Sequence, residues 1–105
     1  MAKIILTNDS FDKEVKDGVV LVDFFATWCG PCRALMPIIE QIASERKDVK
    51  VCTVNVDEQR ELAERFRVVS IPTLLLMKDG EIVNRVQGAR PRAVLDEIID
   101  DVVGG

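Results

Sequence analysis

Apolar and polar positions along the chain fall into two kinds of run, short apolar stretches of strand character and longer stretches with helical spacing. Lys3 to Leu6 reads as a short strand, and Asn8, Asp9 and Ser10 offer capping oxygens for a short helix through about Lys16, ended by Asp17-Gly18. Val19 to Ala26 (VVLVDFFA) is an almost unbroken apolar run, as suits a central strand covered on both faces, and its one polar residue is Asp23. From about Pro31 to Arg46 the spacing becomes three and four. Leu35, Ile38, Ile39, Ile42 and Ala43 share one face, while Arg33, Glu40, Gln41, Ser44 and Glu45 lie elsewhere. Pro37 sits inside this helix, where its ring removes a donor and crowds the previous turn, so a bend is expected there. Val49 to Val56 (VKVCTVNV) reads as a second buried strand, and strand–helix–strand at this spacing predicts parallel pairing.

Asp57 is placed to cap a helix over EQRELAERF that ends near Arg67. Thr73 to Met77 and Glu81 to Val86 are strands joined through Lys78-Asp79-Gly80, and Asp-Gly between apolar runs signals an antiparallel hairpin. Pro91 suits a first helical position, and Val94, Leu95, Ile98, Ile99 and Val102 form the stripe of a closing amphipathic helix. The order β-α-β-α-β-α-β-β-α predicts an α/β architecture, a central mixed five-stranded sheet with helices on both faces. No repeat, low-complexity tract or linker interrupts it, so residues 1–105 read as a single domain.

Composition narrows the function more than the fold. With 48% hydrophobic and 30% charged residues the 105-residue chain has ordinary globular make-up, able to hold one apolar core without staples. Its net charge of −4 gives no support for a nucleic-acid or anionic-membrane surface. The uncharged apolar stretches fall far short of the ~20 residues of a spanning helix. MAKIILTNDS has no run resembling a secretory h-region, so a cytoplasmic location is expected, where a cysteine pair is reactive rather than structural. The chain has no histidine, which removes Ser–His and Cys–His nucleophile pairs and histidine metal sites.

Trp28-Cys29-Gly30-Pro31-Cys32 stands where the central strand gives way to the long helix. Residues three apart on a helical turn lie about 5–6 Å apart, inside the window a disulfide requires. Unpaired N–H groups and the positive end of the helix dipole favour a thiolate at Cys29, while Cys32, one turn in, is shielded and holds its proton more tightly. That asymmetry makes Cys29 the attacking sulfur and Cys32 the second attacker once a mixed disulfide has formed. A zinc site would need four Cys or His ligands, and only Cys52 remains, so no metal is expected. Cys52, inside VKVCTVNV, reads as a small buried hydrophobe. Asp23, a carboxyl inside an apolar strand just ahead of the cysteines, is expected to titrate high and to accept the Cys32 proton.

Over essentially its whole length the chain resembles the thioredoxin family. FFATWCGPC at 24–32 is similar to the family's active-site segment, with Asp23 before it at the family's spacing. Pro37 falls at the helix-kink position, Ile71-Pro72-Thr73 resembles the cis-proline loop, and Gly88 corresponds to the late glycine. The resemblance implies a thioredoxin fold and a protein dithiol–disulfide oxidoreductase that mainly reduces target disulfides through a reversible Cys29–Cys32 disulfide. It implies a cis bond before Pro72, although an X-Pro bond is cis only about one time in twenty in folded proteins. It implies Asp23 as general acid/base for the resolving thiol. It also implies a substrate-binding rim of Trp28, Gly30, Pro31, Ile71, Pro72, Thr73, Gly88 and Ala89, where an extended target segment pairs with the backbone. Thioredoxin reductase and disulfide-containing proteins are the implied partners, the protein acting as a monomer. No bound cofactor is expected, because the electrons reside in the two sulfurs. One departure stands out: where the family often has a Lys partner for the buried Asp, the aligned residue is Thr53. The rival reading is a redox-independent partner-binding subunit that uses the Trp28, Ile71 and Pro72 surface.

Overall fold

In the computed structural model, which describes residues 2–105, nine elements follow the expected order. These are β1 (Ile4–Ile5), α1 (Phe11–Val15), β2 (Val19–Phe25), α2 (Gly30–Glu45), β3 (Lys50–Asn55), α3 (Arg60–Arg65), β4 (Thr73–Lys78), β5 (Glu81–Gln87) and α4 (Arg92–Gly104). The five strands form one mixed sheet in the order β1-β3-β2-β4-β5. β3 pairs in parallel with β1 and β2, and β4 is antiparallel to both β2 and β5.

The almost unbroken apolar sequence of β2 follows from its place at the centre of the sheet, where alternate residues enter different cores. Leu21 packs with Leu35, Ile39 and Ile42 of α2 and with Leu95 and Ile99 of α4. Val20, Val22 and Phe24 pack on the other face with Phe11 and Val15 of α1 and Leu62 of α3. Parallel strands need both faces covered, and these two helix pairs supply the cover. The β4–β5 turn places both Asp79 (φ 51°) and Gly80 (φ 86°) in the left-handed region, the signature of the two-residue hairpin turn that Asp-Gly favours.

Several boundaries differ from the sequence expectation, each for a local reason. β1 shrinks to two residues because it is an edge strand with β3 as its one neighbour. Asp57 does not cap α3. Instead Asn55 Oδ1 accepts from the N–H groups of Asp57 and Glu58 in a tight turn, and the helix begins after Gln59. The α3 cap comes from the chain's first loop, where Asn8 Oδ1 accepts from Leu62 N–H (3.2 Å) and Gln59 Oε1 accepts from Asn8 N–H (2.9 Å). Ser10 precedes α1, but its hydroxyl oxygen accepts backwards from Thr7 N–H at 2.9 Å rather than capping the helix. Pro91 occupies the position before α4 instead of its first turn, and α2 opens one residue early, at Gly30, with Pro37 inside it.

Candidate active site

The site forms where β2 ends. After Phe25 the chain turns through Ala26, Thr27 and Trp28, and Cys29 becomes the extended residue (φ −88°, ψ 115°) that caps α2. Cys29 Sγ accepts from Cys32 N–H at 3.3 Å, so the sulfur sits on one of the donors that a helix start leaves unpaired. Cys29 N–H donates to Ala26 O (3.3 Å) and Cys29 O accepts from Arg33 N–H (3.1 Å), which fixes the turn from both sides. Pro31 falls in the first helical turn, where its missing N–H costs nothing. Both cysteines are free thiols and both are buried, Cys29 at 6% exposure and Cys32 at 1%. Burial, followed by the hydrogen bond and the charge of Cys29, pushes the Cys32 thiol up to about 12, so it keeps its proton at neutral pH.

The second wall of the site is the loop before β4. The Ile71–Pro72 peptide bond is cis, as the resemblance implied. Cys29 Sγ lies 3.8 Å from Ile71 O, in position for the thiol to donate to that carbonyl. Pro72 O accepts from Gly88 N–H at 2.8 Å. Gly88 has φ 87°, a backbone conformation that favours glycine, while a Cβ there would meet only the movable end of the Arg90 side chain, 3.1 Å away. Of the rim residues inferred from sequence, Gly30, Pro31, Trp28 and Ala89 are exposed, Ile71 and Gly88 half-buried, and Pro72 buried. Thr73 is fully buried, and its hydroxyl donates to Ser70 O at 2.6 Å, so its side chain turns inward and away from the rim.

Trp28 is 67% exposed beside the cysteines, and its Nε1–H donates to Asp57 Oδ2 at 2.8 Å. Sequence reasoning missed this role for Asp57, which is 29 positions away; the available signal was the parallel β2–β3 pairing, which brings the ends of the two strands together.

Asp23 is fully buried in β2, where it registers with Thr53 on β3 and with Leu74 on β4. By the alternation of the strand it faces the side covered by α2 and α4, the side on which Cys32 lies. Burial raises its carboxyl from 3.8 to about 7, and its charge in turn contributes to the upward shift of Cys32. Cys52 belongs to the opposite core, with Phe11, Val22 and Val54, and burial pushes its thiol to about 12. The sheet therefore separates it from the WCGPC pair. A cleft of about 210 Å³ between Phe25, Ala26, Thr27, Cys32, Arg33 and Met36 opens beside the second cysteine. A larger one, about 470 Å³, lies at the far end of α2 and the starts of β2 and β3, and none of the candidate residues lines it.

A family model described as Thioredoxin matches residues 2–101. The chain is 48% identical over 99 residues to the thioredoxin of Listeria monocytogenes, covering 93% of this chain and 96% of that one. It is 49% identical over 105 residues to the thioredoxin of Mycobacterium tuberculosis, with 97% and 90% covered. Among solved structures, a mutant thioredoxin from Halobacterium salinarum NRC-1 superimposes with a TM-score of 0.89 at 35% identity, covering 95% of this chain and 89% of that one.

Proposed function

The chain belongs to the thioredoxin family and is a protein dithiol–disulfide oxidoreductase; on that basis we propose roles for its individual residues. Cys29 attacks one sulfur of a target disulfide, forms a mixed disulfide and expels the other target sulfur as a thiolate. Cys32 then gives up its proton to Asp23 and attacks Cys29 Sγ, closing Cys29–Cys32 and releasing the second target thiol. Two electrons pass from the dithiol to the target. The observation that carries this reading is the cap geometry, with the Cys29 sulfur on the helix start and a buried, proton-holding Cys32 one turn away. The thiolate is the attacking species, and the Cys29 sulfur is the one that accepts from a helix-start N–H.

Around this centre, Trp28, Ile71, Pro72, Gly88 and Ala89 form the surface that receives the target, with Gly30 and Pro31 at its edge. Thr73 contributes through its backbone. An extended target segment adds to the backbone next to Pro72, where main-chain bonding accommodates varied side chains. The family implies thioredoxin reductase and disulfide-bearing proteins as partners. No helix among the described residues is long and apolar enough to cross a membrane. We propose a cytoplasmic location, where a cysteine pair is kept reduced and reactive, and a monomeric state. Insulin reduction by dithiothreitol, followed by turbidity, tests the function. The wild type should accelerate precipitation and Cys29→Ser should not; no acceleration by the wild type would overturn the assignment.

A further inference from the structure

The chain carries 18 carboxylates and a net charge of −4, yet none of those carboxylates falls in the three segments that build the site, 24–39, 65–78 and 82–95. Burial does not explain the gap, since the same segments hold seven arginines and lysines. Two of these cations, Arg33 near the start of α2 and Arg90 just after Gly88 and Ala89, are exposed at the rim. A Cβ added at Gly30 would lie 4.0 Å from Arg33 Nη2, and one at Gly88 would lie 3.1 Å from Arg90 Nη1, so each guanidinium spreads over a rim glycine. Gly30 follows Cys29 and Gly88 N–H is bonded to Pro72 O, which sets one charge on the helix wall of the site and the other on the cis-proline wall.

Neither arginine makes an ion pair among the described residues. Each donates from Nη1 to a backbone carbonyl, Arg33 to Thr27 O at 3.1 Å and Arg90 to Ala89 O at 3.0 Å. A guanidinium has several further N–H donors in a fixed fork, so both remain open to a carboxylate. By contrast, Arg46, Arg65 and Arg92 already hold carboxylates of this chain. Asp57, which reaches the rim from the end of β3, is engaged by Trp28 Nε1–H.

We propose that Arg33 and Arg90 make the site selective for target segments that carry an acidic residue beside the reactive cysteine. The inference rests on the reading of this rim as the target-binding surface and deepens it. Main-chain pairing beside Pro72 is blind to side chains, so discrimination between targets comes from the groups that flank the pairing. An extended segment on Pro72 runs between the two walls and projects its side chains to alternate sides, which offers a Glu or Asp one or two positions from the cysteine to one guanidinium or the other. A net charge of −4 repels an acidic target at long range, and two open cations on an acid-free rim reverse that sign where the cysteine must approach.

The test uses disulfide-looped peptides that differ only in the residues flanking one cysteine, which are Glu, Gln or Lys. Second-order rate constants for their reduction by the intact reduced protein are measured at low salt and at about 1 M salt, where screening acts within about 3 Å. Each is divided by the rate constant of dithiothreitol with the same peptide, which removes the effect of the flanking charge on the disulfide itself. The quantity read is the Glu-to-Gln ratio, in which a general change in Cys29 reactivity cancels. The wild type should favour the Glu peptide about threefold to tenfold at low salt and lose most of that preference at high salt, with the Lys peptide slowest. Arg33→Gln and Arg90→Gln should each lower the ratio, the double variant should bring it to about one, and the corresponding Lys variants should keep most of it. A wild-type ratio of one at low salt overturns the proposal without recourse to any variant, and so does a preference that survives in the double variant. If the Gln peptide is reduced with no preference for Glu, only the selectivity falls; if the wild type reduces none of the peptides, the functional reading falls with it.

Discussion

Asp23 shows what a single residue can cost a fold and what it returns. Its carboxyl is fully buried and ionises near 7 in the native protein, against 3.8 in an exposed reference state. Between those values the unfolded chain has released a proton that the native chain still holds, so stability falls as pH rises. Below about 4 the native carboxyl costs no ionisation energy; above about 7 the full difference applies, about 4 kcal/mol at 1.36 kcal/mol per unit. Urea unfolding from pH 4 to 8 should therefore show a decline in the wild type that is largely absent in Asp23→Asn; parallel curves would refute it. The burial of Asp23 was legible in the sequence as one carboxyl inside VVLVDFFA. Its neighbour Thr53 was legible only through the family resemblance, which set it at the partner position, and the ladder register places it beside Asp23.

At the scale of elements, periodicity located the five strands and four helices, while their ends were set by contacts that no local pattern announces. The start of α3 is satisfied by Asn8, 54 positions away from the N–H it receives. Its end is a case where the usual signal is missing. Arg67 N–H donates to Glu64 O and Val68 N–H to Ala63 O, the paired closure of a left-handed helix end, with Arg67 at φ 53° where glycine is the rule. Left-handed backbone costs a residue with a Cβ about 1–2 kcal/mol, and glycine gives back about 0.5–1 kcal/mol through its freer unfolded chain. Arg67→Gly should therefore stabilise the protein by about 0.5–1 kcal/mol in denaturant titration. A loss of stability would mean that the Arg67 side chain holds the turn by a contact of its own. The cis Ile71–Pro72 bond belongs with these ends: local statistics favour trans, and only the resemblance over the whole chain pointed to cis.

Across the whole molecule the two ends of α2 do different work. Its start carries the cysteines, and its other end meets a charge network that ties it to α4. Arg46, with 15% of its side chain exposed, reaches Asp48 (2.7 Å), Asp100 (2.8 Å) and Asp96 (3.3 Å). Arg92 reaches Glu45 (2.9 Å) and shares Asp96 (3.1 Å). In the sequence these residues are unremarkable charges on solvated helix faces, since the network exists only once β3, β4 and β5 have carried the chain back to α2. An isolated surface pair contributes about 0–1 kcal/mol, but removing Arg46 leaves three carboxylates facing one another with a single partly shared cation. Arg46→Ala should therefore lose about 1–2 kcal/mol, and the deficit should narrow at about 1 M salt, where carboxylate repulsion is screened within about 3 Å. Insulin reduction at moderate temperature should stay at the wild-type rate, because the thiols, Asp23 and the Ile71–Pro72 loop lie at the other end of the helix. If activity falls in step with stability, the two ends of α2 are mechanically coupled and that separation fails; if only stability falls, the scaffold and the redox site are independent.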